Sequence, residues 1–141
     1  MEDKEAKEIL GRYNRLRYNN TKWIESFVRR GSKDGRENEM IEKIEKRLQQ
    51  EREAGLLVQA VTAQIQNKTE KQILELRFLS GFSIAAIARE LYGDRRDYEE
   101  HIEAYRVRAR HWLGYALTEA AKVMRKLGLD EDPGDCEDPE D

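Results

Sequence analysis

The stretch ILELRFLSGFSIAAIAREL, from Ile73 to Leu91, decides how the chain folds. Ile73, Leu74, Arg77 and Phe78 recur at helical spacing until Gly81 interrupts them. Ser83 then restarts a helix as its N-cap, with Phe82 before it and Ile87 after it at the spacing of a hydrophobic staple. Ile84, Ile87, Ala88 and Leu91 form the inward face of this second helix. Ala88 is small enough for two short helices to cross closely. Gly93 ends the helix where a positive φ is expected. Two short helices at a tight corner, the second capped and small-faced, form a helix–turn–helix.

Upstream of the corner, Asn67 reads as an N-cap, with Glu70 three residues on as in a capping box. Before it lie two long helical segments. In residues 3–29, Ile9, Tyr13, Leu16, Asn20, Trp23 and Phe27 alternate in steps of four and three, the spacing of a coiled-coil seam. Asn20 is the polar member. It either fixes the register as a buried amide or, with Asn19, marks a break or a wet spot. Gly31–Arg36 reads as a turn, and a second helix follows over 37–66. Its stripe of Ile41, Ile44, Leu48, Val58 and Ile65 also carries Glu51, Gly55 and Thr62, so its middle is expected to be poorly buried or bent at Gly55. The simplest arrangement is an antiparallel pair of helices. The alternative is a seam between two chains.

Downstream, Ile102, Tyr105, Ala109, Trp112, Ala116, Ala120, Val123 and Leu127 keep three- and four-residue steps. They predict one long helix from near Asp94 or Asp97 to Gly128, with Asp97 and Glu100 as a further capping box. The remainder, 129–141, is acidic, poor in apolar residues and expected to be disordered. The fold class is therefore all-α: a long, coiled-coil-like helical hairpin over 1–66, a helix–turn–helix with an extended last helix over 67–128, and an acidic tail.

Composition agrees with this plan. Of 141 residues, 39% are charged, the mean hydropathy is -0.93, and the only two prolines lie in the last ten residues. Amphipathic helices with one buried stripe fit such a chain better than a thick sandwich core. The net charge of -3 hides a segregation. The tail holds eight acids and no base, while the first 128 residues hold 26 bases and 21 acids, a net of +5. A mildly basic body allows nucleic acid as a partner. The acidic tail reads first as a solubility segment and second as a cover for a basic face. The single Cys136 cannot form an internal disulfide, no apolar run has membrane-spanning length, and Met1 is followed by charged residues rather than a signal peptide. A cytoplasmic protein with no membrane partner is expected.

The corner resembles the helix–turn–helix of the promoter-binding C-terminal region of bacterial sigma factors. It is closer still to phage late-gene transcription regulators of the RinA/ArpU type. The shared pattern is an aliphatic–Leu-x-Leu-Arg helix, then Gly, an aromatic or aliphatic residue, Ser and Ile-Ala. Tyr115–Val123 (YALTEAAKV) resembles the helix that closes such modules. The resemblance covers roughly the second half of the chain. It implies binding to double-stranded DNA at a promoter, in a bacterial host cytoplasm. In the family the Ala-Leu pair follows the second helix closely. Here 22 residues separate Gly93 from Ala116-Leu117, about three helical turns more. If the last helix is lengthened, Arg95, Arg96 and the Tyr98–His101 segment face the groove. If the turn is lengthened, Arg106, Arg108 and Arg110 do.

The candidate DNA-binding residues are thus Arg95, Arg96, His101, Arg106, Arg108 and Arg110. Arginine forks suit phosphates and guanine edges. The competing reading is a solvated helix face with pairs such as Glu103–Arg106. The two histidines, His101 and His111, lack companions at metal-ligand spacing, so neither metal nor cofactor is implied. No phosphate-cradling loop, nucleophile elbow or paired-carboxylate site is present, and no enzyme is expected. Two alternatives accompany the regulator. One is a phage small terminase subunit recognising DNA for packaging. The other is a protein that binds RNA polymerase or another regulator without touching DNA. In the regulator reading the N-terminal helices mediate a homodimer or contact RNA polymerase, whereas a small terminase assembles as a ring.

Overall fold

A computed structural model describes residues 2–30 and 37–128. The expected turn at Gly31–Arg36 and the acidic tail with Cys136 lie outside the described residues. Five helices account for the described architecture: α1 (Asp3–Arg30), α2 (Glu37–Ala63), α3 (Lys68–Phe78), α4 (Ile84–Tyr92) and α5 (Ile102–Lys126). The chain is all-α, with no strand among the described residues.

Helix α1 carries Asp3 and Glu5 in its first turn and Arg29 and Arg30 in its last, each sign at the helix end that favours it. It runs antiparallel to α2, since Asn20 meets Arg47 and Glu51 while Tyr13 meets Gly55. The face it buries is broader than the seam read from the sequence. Ala6 and Leu10 are fully buried, with Ile9 and Tyr13 flanking them. Asn20 is buried, and α1 does not break there. Its Nδ2 donates to the Arg47 carbonyl and to Glu51 Oε1, both at 3.1 Å. The Arg47 guanidinium donates to Asn20 Oδ1 at 3.4 Å and lies 4.6 Å from the Trp23 ring. A slipped register would strand this buried amide without partners, so Asn20 fixes how α1 and α2 align.

The expected bend at Gly55 is absent, because α2 runs unbroken through it. Gly55 is buried against the Tyr13 ring, and a Cβ there would stand 3.0 Å from Tyr13 Cε1. The glycine serves helix-to-helix approach rather than bending. The expectation of a poorly buried middle also fails, since Ala54, Gly55 and Val58 are buried while Ile41, near the start of α2, is 48% exposed. Helix α2 ends at Ala63 rather than Gln66. The amides of Gln64 and Ile65 turn back to the carbonyls of Val61 and Thr62, and Asn67 begins the next helix.

Asn67 caps α3 as expected, its Oδ1 accepting from the Glu70 amide at 3.0 Å. The α3–α4 corner is set by Gly81, whose φ of 75° needs a residue without a Cβ, and by a bond from the Phe82 amide to the Leu76 carbonyl. Helix α1 holds this corner. Asn14 Nδ2 donates to the Arg77 carbonyl at 2.9 Å, and Arg17 donates to the Leu79 carbonyl at 3.0 Å and to Asn14 Oδ1 at 2.9 Å. Ser83 caps α4 by accepting from the Ala86 amide at 3.1 Å. Gly93 does not take the expected positive φ; it sits at -61°. Glycine is needed there for space, since a Cβ would collide with the Arg89 carbonyl.

The expected start of the last helix near Asp94 or Asp97 is also overturned. Residues 93–101 form successive turns, and α5 begins only at Ile102. Amides in this segment reach back three residues, Arg95 to Tyr92, Tyr98 to Arg95 and Glu100 to Asp97. Burial of Tyr98 fixes this path. The extra residues therefore lengthen the turn. Asp97 does not cap a helix, because its carboxylate accepts from the Tyr105 hydroxyl at 2.6 Å instead. Along α5 the buried side is Tyr105, Ala109, Leu113, Ala116, Leu117, Ala120, Ala121 and Met124, while Leu127 is exposed. One apolar cluster runs through all five helices, so residues before and after Gln66 share it.

Candidate nucleic-acid interface

The six candidate residues lie on the 93–101 turn and the first half of α5. Arg95, Arg96, His101, Arg108 and Arg110 are exposed, and Arg106 is half-buried. His101 occupies the N-cap position of α5 but makes no side-chain cap bond. The arginines divide into two groups according to what they touch.

Arg95 and Arg108 come together on a stack of tyrosines. The Tyr92 and Tyr105 rings stack with centroids 5.0 Å apart, and Tyr98 stacks on Tyr105 at 5.7 Å. The Arg95 guanidinium stands 5.4 Å from the Tyr92 centroid and 6.0 Å from that of Tyr105. Arg108 stands 5.8 Å and 5.2 Å from the same two. A cation over a ring face contributes about 0.5–1 kcal/mol at an exposed site, counted once for each arginine because two stacked rings cannot both offer it a face. It also restrains a long side chain that would otherwise sample many rotamers. The hydrogen bond from the Tyr105 hydroxyl holds the Asp97 carboxyl below the usual carboxylate range. The same bond holds the Tyr105 hydroxyl above the usual phenol range.

Arg106 and Arg110 instead converge on Glu103, at 3.5 Å and 3.7 Å. The pairing of Glu103 with Arg106 appears as the sequence suggests, and Arg110 joins it. Exposed pairs of this kind add about 0–1 kcal/mol of stability, and the one Glu103 carboxylate offsets one of the two positive charges locally. Tyr92 and Asp97 are functional candidates that sequence reasoning missed, and Tyr98, read as part of a groove-facing segment, is instead buried in the stack. Tyr105 was expected in the core, and it is both buried and part of the arginine platform. The six- and seven-residue steps from Tyr92 to Tyr98 to Tyr105 carry no single helical period, so only the turn brings the rings together.

Among the described residues, no group of three or more His, Cys, Asp or Glu side chains could hold a metal ion. No described helix is long and apolar enough to cross a membrane. Comparison of the chain with protein-family models, with curated proteins and with solved structures found no match.

Proposed function

We propose that the chain is a phage or mobile-element transcription regulator that binds double-stranded DNA at a promoter, without catalysis. Its reading head is the sigma-like helix–turn–helix of α3 and α4, with α5 presented to the major groove. The observation that carries this proposal is the placement of Arg95, Arg96 and His101 on the turn that leaves α4 and of Arg106, Arg108 and Arg110 on the first half of α5, the helix that follows the helix–turn–helix. The phage and promoter assignments draw on the likeness of Ile73–Leu91 to late-gene regulators and sigma factors. Asn14 and Arg17 tie α1 to the corner through the Arg77 and Leu79 carbonyls, which holds the N-terminal pair of helices against the helix–turn–helix.

The far end of the α1–α2 pair is the natural place for a second copy. Val28 is 69% exposed and Ile41 48%, with Trp23, Phe27 and Ile44 half-buried between them. Toward this end α1 carries Lys22, Arg29 and Arg30 with Glu25, and the start of α2 mixes Glu39, Glu42 and Glu45 with Lys43, Lys46 and Arg47. A contact between two tips across a two-fold axis would cover the exposed Val28 and Ile41 side chains. RNA polymerase is the second partner proposed for this half.

The engagement of Arg106 and Arg110 by Glu103 favours one rival, a protein that binds polymerase or another regulator without DNA. Nuclease footprinting on the chain's own genomic neighbourhood separates the two. Protection of a discrete promoter-proximal site fits the regulator. An unprotected DNA together with retained polymerase binding overturns it.

A further inference from the structure

We infer that Arg95 and Arg108, seated on the Tyr92–Tyr105 stack, form a docking point for the phosphodiester backbone, separate in role from Arg106 and Arg110. This deepens the DNA-binding proposal and rests on it for the natural ligand, although the site's affinity for phosphate is testable without DNA. Four observations support it.

Two cations from different segments, the turn and α5, are brought to one pair of rings, each guanidinium 5.2–6.0 Å from both centroids. Gathering like charges costs free energy, which an anion at the same place would recover. Second, a guanidinium seated against rings keeps its N–H edge available, and that edge fits two phosphate oxygens side by side. Third, among the described residues no carboxylate lies at ion-pair distance from either arginine, whereas Glu103 takes both Arg106 and Arg110. Asp94 adjoins Arg95 in sequence but forms no ion pair with it, and Asp97, two residues on, has its carboxylate engaged by the Tyr105 hydroxyl, although it still attracts Arg95 electrostatically. Fourth, the platform is rigid. Tyr105 is stacked against Tyr92 and Tyr98, and its hydroxyl is tied down at 2.6 Å. Donation of that hydroxyl to a carboxylate enriches the ring in electron density, which strengthens its hold on cations. The side-chain entropy of the two arginines is therefore partly lost before any ligand arrives.

Backbone contacts position a protein on DNA and carry no sequence information. The Arg95→Ala/Arg108→Ala double variant should therefore weaken binding by the same factor on promoter and scrambled DNA. It should also flatten the slope of log K against log salt by about two, at roughly 0.9 for each phosphate that is no longer neutralised. A second readout needs no DNA. Full-length protein labelled on the arginine Nε–Hε groups would be titrated with inorganic pyrophosphate and followed by NMR. The Arg95 and Arg108 signals should move together and saturate, ahead of those of Arg96, Arg106 and Arg110. An unchanged salt slope in the double variant overturns the inference, and so do pyrophosphate shifts spread evenly over all five arginines. If the wild type shows no preference for promoter DNA but the paired shifts appear, the docking point stands and the promoter reading fails. If it binds no DNA at all, the pyrophosphate titration alone decides.

Discussion

Gly55→Ala and Gly114→Ala are the same substitution inside two long helices, and the structure expects them to move stability in opposite directions. Alanine in a helix interior gains about 0.8–1 kcal/mol over glycine. At Gly114, on the exposed side of α5, nothing lies within 4 Å of where the Cβ would go, so that gain should appear in full. At Gly55 the new methyl would stand 3.0 Å from Tyr13 Cε1 and 3.1 Å from Cδ1, inside ordinary contact distance. The ring's freedom to retreat is limited by the Arg17 guanidinium, 5.0 Å from its centroid and itself hydrogen-bonded to the α3–α4 corner. Crowding of a packed position costs about 1–3 kcal/mol, so the net effect at Gly55 is a loss of about 1 kcal/mol. The two variants should differ by roughly 2 kcal/mol. Urea unfolding reads this directly, because with a slope of about 1.5 kcal/mol/M the midpoints separate by more than ~1 M. In a Tyr13→Ala background the crowding is gone, and Gly55→Ala should become stabilising. Equal stabilisation at both glycines would refute the reasoning, as would a loss at Gly55 that survives removal of the Tyr13 ring.

Removing the Ser83 hydroxyl in Ser83→Ala leaves the Ala86 amide without its acceptor and should cost about 1 kcal/mol in thermal or urea unfolding. Tyr105→Phe keeps the ring stack but deletes the donor to Asp97. Because that bond holds the Asp97 pKa below its ordinary value of 3.8, its stabilisation is present above that pH and lost as pH falls through the lowered folded value. The stability gap between wild type and Tyr105→Phe should therefore be open at neutral pH and close in acid, which paired denaturation curves from pH 7 to pH 2 would show. Charging the apolar tip with Val28→Glu/Ile41→Glu should leave helix content unchanged and halve the mass seen by light scattering. A wild type that is already monomeric, or a ring-sized particle, would contradict the two-fold tip contact, and a ring would turn attention to a terminase.

Much of the fold was legible because it follows from local chemistry. Asn67 and Ser83 announce helix starts by offering side-chain acceptors to orphan amides, and both do so. Asn20 was legible as an anomaly in an apolar stripe, but its meaning depended on Arg47 and Glu51, which lie 27 and 31 residues away. Gly55 and Gly93 were misread for a related reason. A glycine in sequence signals a missing Cβ, and only the neighbours tell whether that serves a bend, a left-handed turn or a close approach. Here Tyr13 and the Arg89 carbonyl supply the reason. The start of α5 was misread because nothing between Gly93 and Ile102 forbids helix. Tertiary stacking of Tyr98 and the Asp97–Tyr105 bond override the local preference there. The arginines were legible as charges. Their division between tyrosines and Glu103 was not, because it requires the turn's path.

The central claim is that this face binds DNA. Its most direct test is fluorescence anisotropy of the full-length protein on duplex from its genomic neighbourhood and on scrambled duplex, from 50 to 200 mM salt. With about three to five phosphates neutralised, affinity should fall roughly 40- to 500-fold over that range, with the native sequence bound more tightly throughout. Salt-insensitive or undetectable binding to both duplexes at 50 mM would contradict it, and equal, salt-sensitive binding to the two would overturn the promoter reading alone.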